Sequence, residues 1–481
     1  MNILMASAEM APLAKTGGLG DVVGALPKAL ARRGHTLTLV MPFYRFIHAD
    51  RYGIARDGDW FDAWVGGEHV FGGLHRWDPY PGVRVYLVAQ DHFFGREGIY
   101  GDRYGGFGDN HRRFIFLSHA VLETARRMAA HGHPPDVYHG HDWHVGLVPV
   151  YLREGRAGWP LPSVFTIHNL RYQGRFGKDV LYQAGLSDGY NHPYALELYG
   201  SICFMKGALV YSDVLSTVSE GYARETMTPE HGGGLDGVLR ARRRDYFGIR
   251  NGIDVDEWDP RSDTFIAARY SPEEMSGKAL CKRALQQEFS LPTEPDVPLI
   301  GVVSRLVEQK GISLIEQVLP TLLQYNVQLV VLGSGEKRFE RMFETYAARH
   351  PDRMAVHIGF DSPLAHRIEA GADIFLMPSL YEPCGLNQMY SIRYGTVPVV
   401  RAVGGLDDTV RDLDPASGEG NGFKFVHYDV NGLWWALSRA LLLYRDKPVW
   451  ESLRSRIMLE DFSWDRSARR YEALYHRALG R

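Results

Sequence analysis

Three short stretches of this chain carry residue types suited to holding a charged group or a sugar. In KTGGLGD, Lys15 stands just before Gly17 and Gly18, between the apolar run from Ile3 to Ala8 and a helix-like pattern. Glycine lets a backbone turn sharply or lie close to a ligand, and a helix start favours anions. The lysine precedes its glycines, the reverse of a P-loop, and no G-x-G-x-x-G is present. In SRLVEQKG, Arg305 and Lys310 come directly after another apolar run. A forked guanidinium and a compact ammonium at a strand's carboxyl end suit a diphosphate, although a surface ion-pair loop has the same composition. In SLYEPCGLNQMYS, Glu382 precedes Pro383 and Gly385 opens a helix, so backbone N–H groups could face a phosphate while the carboxylate holds a sugar hydroxyl. Cys384 has no partner that would make it a nucleophile and reads as a small packed residue.

A fourth stretch, HGHDWH, gathers His139, His141 and His144 around Asp142. It invites a metal reading, but the order differs from the hydrolase pattern H-x-H-x-D-H and no distant Cys or His set completes a site. The better reading is a hydrogen-bonding loop at a strand's carboxyl end, with Asp142 and Trp143 suited to a sugar's hydroxyls and its apolar face.

The elements that must position these loops are strands alternating with helices, in both halves of the chain. NILMAS, HTLTLVMP, PDVYHGHDWH, PSVFTIHN and DVLSTVS are apolar runs that stop at polar loops. The same grammar restarts at PLIGVVSRL and continues through VQLVVLGSG, MAVHIGF, ADIFLMPS and TVPVVRAVGG. Runs so rich in Val, Ile and Leu, without alternation, predict parallel strands covered on both faces. The first helix, after the glycine loop, should be capped by Asp21 and kinked at Pro27. The irregular stretch from Asn251 to Thr264 marks the boundary between an N-terminal domain (1–250) and a C-terminal domain (251–460). The expected architecture is α/β, two doubly wound domains facing each other across a cleft at the carboxyl ends of their strands. The basic run RARRR, Arg240 to Arg244, reads as a solvated face.

Composition excludes several classes. Apolar residues make up 45% of the 481 and charged residues 23%, ordinary values for a globular protein. A formal net charge of -3 argues against a general nucleic-acid binder, and no apolar run approaches the roughly 18 residues of a membrane helix. MNILMASAEM lacks a basic start and is interrupted by Glu9, so no signal peptide is expected. Cys203, Cys281 and Cys384 are odd in number and widely spaced, which fits a reducing, cytoplasmic setting without a disulfide framework or zinc site.

Taken together, KTGGLGDVVGALPKAL, HGHDWHVGL, FTIHNLRYQG, RNGID, SRLVEQKG and YEPCGLNQMYSIRYGTVPVVRAVGGLDDTV resemble the bacterial glycogen synthases and plant starch synthases. The likeness runs from Met1 to about Tyr475, and the closing DFSWDRSARRYEALY resembles the family's terminal helix, which implies that 461–481 returns to the first domain. It implies the GT-B fold, two Rossmann-like domains, and a retaining transfer of glucose from ADP-glucose to the non-reducing end of an α-1,4-glucan, with no metal or other cofactor. By motif it implies that Lys15, Gly17 and Gly18 meet the donor's phosphates from the first domain. Arg305 and Lys310 would clamp them from the second. Glu382 would hold the transferred glucose, with the N–H groups of Cys384, Gly385, Leu386 and Asn387 nearby. His168 would stand beside the anomeric centre, Asp142 would line the sugar and acceptor side, and Asn251 and Lys282 would match further donor positions. Two departures stand out. Phe360 occupies a place where many members carry a tyrosine against the base, and the superfamily's E-x7-E ends in Tyr390.

The residue types fit that chemistry. Cleavage from ADP builds negative charge on the leaving phosphate, which fixed cations offset in a site drained of water. A retaining glycosidase would show two neighbouring carboxylates, one a nucleophile; no convincing nucleophile stands out. Two other readings remain at this stage: a GT-B transferase acting on a small sugar or phosphosugar, and a non-catalytic glucan-binding protein. The second does not call for a diphosphate clamp, so Lys15, Arg305, Lys310 and Glu382 speak against it.

Overall fold

The structure, a computed structural model, describes residues 1–102 and 104–480. Two compact units divide the chain, Met1–Asn251 with Trp464–Arg481 and Gly252–Ser463.

The first unit is built on a nine-stranded sheet. Its strands are β1 (Asn2–Ala6), β2 (Thr36–Pro42), β3 (Ala55–Val65), β4 (Glu68–Tyr80), β5 (Val83–Ala89), β6 (Val137–His141), β7 (Ser163–Ile167), β8 (Val214–Thr217) and β9 (Tyr246–Gly248). Their spatial order is β9-β8-β7-β6-β1-β2-β5-β4-β3. The strands from β9 to β5 run parallel, and β3 and β4 add an antiparallel extension at one edge. Chain order reverses between β1 and β6, so the loops leaving these two neighbours diverge and open a crevice at their carboxyl ends. Every residue of β6 and β7 is buried, as parallel strands covered on both faces require.

The second unit holds β10 (Leu299–Val303), β11 (Gln328–Gly333), β12 (Met354–Ile358), β13 (Ile374–Met377), β14 (Val397–Arg401) and β15 (Phe423–Phe425). They form an all-parallel sheet in the order β12-β11-β10-β13-β14-β15. This is the dinucleotide-fold order, with its reversal between β10 and β13.

Several local expectations change. The helix Gly18–Arg32 runs unbroken through Pro27, and its N-cap is Gly17; Asp21 lies in the first turn and pairs with Lys15 instead. The boundary stretch is no loose linker: Ile253 and Trp258 are buried, and the Trp258 indole lies between His366 and Tyr390, with ring centroids at 3.7 and 3.8 Å. At the other end the helix starts at Trp464, because Phe462 accepts a bond from Ile253 N (2.8 Å) inside the second unit. The helix Trp464–Ala478 packs on the first unit, where the Tyr475 hydroxyl meets His139 Nδ1 at 2.9 Å. Within RARRR, Arg242 is no solvated charge: its guanidinium donates to the carbonyls of Leu209, Ser212 and Asp213, satisfying the end of the helix Phe204–Tyr211. Among the described residues no helix is long and apolar enough to cross a membrane.

Candidate active site

Each unit gathers polar side chains at the carboxyl ends of the strands flanking its point of reversal. In the first unit β1 leads into a tight loop closed by paired bonds between Met10 and Ala14, each amide donating to the other's carbonyl at 2.9 Å. Lys15 follows, and its Nζ lies 2.6 Å from Asp21 Oδ1 on the first turn of Gly18–Arg32. Gly17 has extended backbone, and a Cβ there would meet nothing within 4 Å. The unit's own packing therefore does not demand a glycine at this place.

Across the reversal, β6 delivers Asp142 with φ at 59°, a left-handed conformation that costs a non-glycine residue about 1 kcal/mol or more. The strain aims Asp142 Oδ1 at the loop after β7, where it accepts from the amides of His168 (2.7 Å) and Asn169 (3.4 Å). His168 Nε2 in turn meets His141 Nδ1 at 3.0 Å. Burial raises the Asp142 carboxyl to about 7, with the two amides pulling against it. Burial also lowers His168 to about 3, so its ring is neutral at neutral pH. A neutral imidazole held beside a reacting centre donates or accepts a hydrogen bond without adding charge. Asn251, after β9, is buried, and its Oδ1 has no partner.

The rest of HGHDWH serves the fold. His139 is held between Tyr475 and Thr166, and His144 stacks on Tyr100. Trp143 does not offer a sugar its face: it is buried against Phe114 and Phe176, and Gly174 passes so close that a Cβ would lie 2.2 Å from the indole. Among the described residues no group of three or more His, Cys, Asp or Glu could hold a metal ion.

In the second unit, Arg305 and Lys310 leave β10 while Glu382 and Asn387 leave β13. Gly311 lets the two loops meet. Its φ is 74°, and a Cβ there would stand 2.0 Å from the Pro378 carbonyl. Lys310 Nζ reaches Glu382 Oε2 at 2.6 Å, and Ser379 Oγ donates to the same oxygen at 3.1 Å. Glu382 is buried. Arg305 is exposed, and its Nη2 donates to Gln309 Oε1 at 3.1 Å. Asn387 Nδ2 donates to the Val303 carbonyl (3.0 Å), pinning the start of the helix Asn387–Arg393 to the end of β10. The first amides of that helix lack intrahelical acceptors. Gly385 takes φ 73°, and Cys384 is buried as expected of a packing residue. Phe360, just beyond β12, is 78% exposed and presents its ring on the same sheet edge. Tyr390 stacks on Trp258, a contact that a second glutamate could not make.

Lys282 is the exception and corrects an expectation. Its ammonium is buried 2.7 Å from Asp373 Oδ2 and donates to the carbonyls of Pro295 and Val297. Asp373 precedes β13 and also accepts from Leu299 N at the start of β10, so this pair sits at the amino edge of the sheet. Lys282 lies at the opposite sheet edge from Arg305, Lys310 and Glu382 and serves as a structural ion pair. Two contributors escaped the sequence reading, Glu9 and Ser379. Glu9 appeared only as an interruption of an apolar run; its partner Tyr100 lies far along the chain.

Residues 2–241 match the family model for the starch synthase catalytic domain, and residues 285–450 match glycosyl transferases group 1. Glycogen synthase of Anaeromyxobacter dehalogenans (strain 2CP-C) is 50% identical over 480 residues, covering 99% of both chains. That of Geotalea daltonii is 44% identical over 485 residues, covering 100% of this chain and 99% of its own. The solved catalytic domain of starch synthase IV from Arabidopsis thaliana, bound to ADP and acarbose, is 35% identical with a TM-score of 0.91, over 100% of this chain and 99% of that one. Two Rossmann-like units, each with its polar loops at strand carboxyl ends, make this a GT-B glycosyltransferase. Within that class, the chain belongs to the glycogen and starch synthase family.

Proposed function

We propose that the protein transfers glucose from ADP-glucose to the non-reducing end of an α-1,4-glucan, with retention of configuration. The observation that carries the reading is the contact of Lys310 with Glu382, 2.6 Å apart at the reversal point of the second sheet. A cation for phosphate and a carboxylate for sugar are there side by side, as the two ends of a sugar–phosphate bond require. Full-length identity of 44–50% to glycogen synthases supports the same reaction.

In this reading the donor's diphosphate draws Lys310 from Glu382 and engages Arg305 in a forked contact. Glu382 Oε1 and Oε2 then accept from glucose hydroxyls. The bond from C1 to the phosphate oxygen breaks, and its electron pair leaves with ADP. The acceptor's 4-hydroxyl forms the new bond to C1 and gives its proton to the departing phosphate oxygen of ADP. Neutral His168 donates to the glucose beside C1, and Asp142 fixes the His168 amide. Lys15 adds its charge to the phosphates only in the reactive state, and Phe360 offers its face to the base. With positive charge supplied by side chains, turnover requires no divalent cation.

The test is incubation with ADP-glucose or UDP-glucose, each with and without glycogen and in excess EDTA, reading nucleotide release and glucan growth. Glycogen-dependent release of ADP with growth of the polymer, undiminished by EDTA and faster than with UDP-glucose, is expected. Release without growth, or a clear preference for UDP-glucose, overturns the reading.

A further inference from the structure

The loop that carries Lys15 is held from beneath by a carboxylate that has no part in the reading above. Glu9 follows β1 and is 2% exposed. Its Oε2 accepts from Thr16 N at 2.6 Å, and its Oε1 accepts from Thr16 Oγ1 at 2.8 Å and from the Tyr100 hydroxyl at 2.5 Å. The Tyr100 ring stacks on His144, with centroids 4.7 Å apart and planes 17° apart. Phe114 closes the packing against both His144 and Trp143. A short chain of contacts thus joins the residue next to Lys15, through Glu9 and Tyr100, to the turn that carries Asp142.

Stability alone does not ask for this arrangement. The partners of Glu9 are two hydroxyls and the backbone amides of Thr16 and Gly17, and burying a carboxylate on such neutral donors is costly compared with an apolar side chain of similar size. Burial indeed raises the Glu9 carboxyl, against the pull of its hydrogen bonds. What the carboxylate supplies is geometry: its two oxygens fix both the backbone and the side chain of Thr16, which leaves the preceding lysine little freedom at its own backbone. Tyr100 then ties that position to the neighbouring strand's loop.

We propose that Glu9 is a positioning residue, whose carboxylate holds Thr16, and with it Lys15, in register with the Asp142–His144 turn through Tyr100. The inference rests on the role given to Lys15 above. It implies that Glu9 and Lys15 act as one unit on turnover, so their substitutions are not additive.

The experiment is a double-mutant cycle of Glu9→Gln and Lys15→Ala, measured as kcat and KM with ADP-glucose and glycogen. Glutamine keeps the volume but offers one accepting oxygen where the carboxylate offers two. Glu9→Gln is expected to lower kcat by about 10- to 100-fold, the range of a misplaced electrostatic group, with KM for ADP-glucose within about threefold. In the Lys15→Ala background the same change should lower kcat by less than about threefold, and Glu9→Asp should not restore the rate, since the shorter stem cannot reach Thr16 and Tyr100 together. An equal fall in both backgrounds, or normal turnover of Glu9→Gln, overturns the proposal. Should Glu9→Gln fail to fold, Thr16→Val and Tyr100→Phe each remove one contact and enter the same cycle; additivity with Lys15→Ala overturns it there too. An inactive wild-type protein, by contrast, would defeat the functional reading and not the contact chain, which loss of order in the Lys15 loop of Glu9→Gln, seen by hydrogen exchange, would still report.

Discussion

Replacing Glu382 by glutamine keeps the shape of the side chain and removes its charge. In the structure Glu382 Oε2 lies 2.6 Å from Lys310 Nζ, and the two side chains are 6% and 19% exposed. At that separation, with an effective dielectric of about 20, the attraction is about 6 kcal/mol before desolvation is counted. Desolvation of two largely buried groups takes back much of it, and glutamine retains a hydrogen bond to Lys310, so the net loss of stability should be about 1–3 kcal/mol. The effect on turnover is separate. In the proposed reaction the carboxylate accepts from sugar hydroxyls whose acidity rises as positive charge grows at C1, so its contribution is largest in the transition state. Glu382→Gln should lower kcat by roughly 10² or more, which is about 2.7 kcal/mol of barrier. Affinity for ADP should change little, because ADP contains no transferred glucose and Lys310 remains. Steady-state kinetics with ADP-glucose and glycogen, beside calorimetric titration of ADP, separates these effects. Near-normal turnover would make the Glu382 loop structural. An ADP affinity that falls in step with kcat would show that Glu382 acts through the phosphate clamp and not on the sugar.

Lys15→Ala should lower kcat by roughly 10- to 1000-fold with ADP affinity within a few-fold, and Lys15→Arg should recover only part of the rate, since a planar fork replaces a compact ammonium poorly; strong loss of ADP binding at unchanged kcat would make Lys15 a ground-state anchor. Lys282→Ala removes one partner of a pair whose side chains are 8% and 4% exposed, and should destabilise the fold by about 3–5 kcal/mol, while kcat and KM of the folded fraction at low temperature stay near wild type; a selective rise in KM for ADP-glucose would return Lys282 to the donor site. Asp142, held at about 7 in the fold against an ordinary value of 3.8, makes folding take up a proton between these values, so its contribution falls as pH rises through that window. Asp142→Asn should therefore gain in Tm over the wild type from pH 4.5 to pH 7.5; a constant difference would mean that the carboxyl titrates normally.

Much of the scaffold was legible because parallel strands buried on both faces write themselves as uninterrupted apolar runs, as in VQLVVLG and ADIFLMP. The polar loops of the second unit were legible for the same reason, since Arg305, Lys310 and Glu382 stand where such runs stop. The hairpin of β3 and β4 was not read, because half-exposed strands such as DGDWFDAWV mix charge with aromatics. Its signal was nonetheless present in Gly66-Gly67, both at positive φ between Val65 and its partner Glu68. Lys282 was misplaced because a cation on a helix carries no mark of which sheet edge its helix end approaches; Asp373, which decides it, lies in another motif. Trp143 shares its motif with Asp142, yet one turn of backbone sends the acid to the loop after β7 and the indole into the core. The Lys310–Glu382 contact and the role of Glu9 depend on distance in space between residues far apart in sequence, which neither spacing nor residue type reveals.

The transfer itself is tested most directly by nuclear magnetic resonance of maltoheptaose incubated with ADP-glucose carrying ¹³C in its glucose. The expected product carries the label as a new α-1,4-linked terminal unit at the non-reducing end, with ADP released in equal amount. Label appearing only as free glucose, as a β-linked unit, or at the reducing end would contradict the assignment of the chain as a retaining glucan synthase.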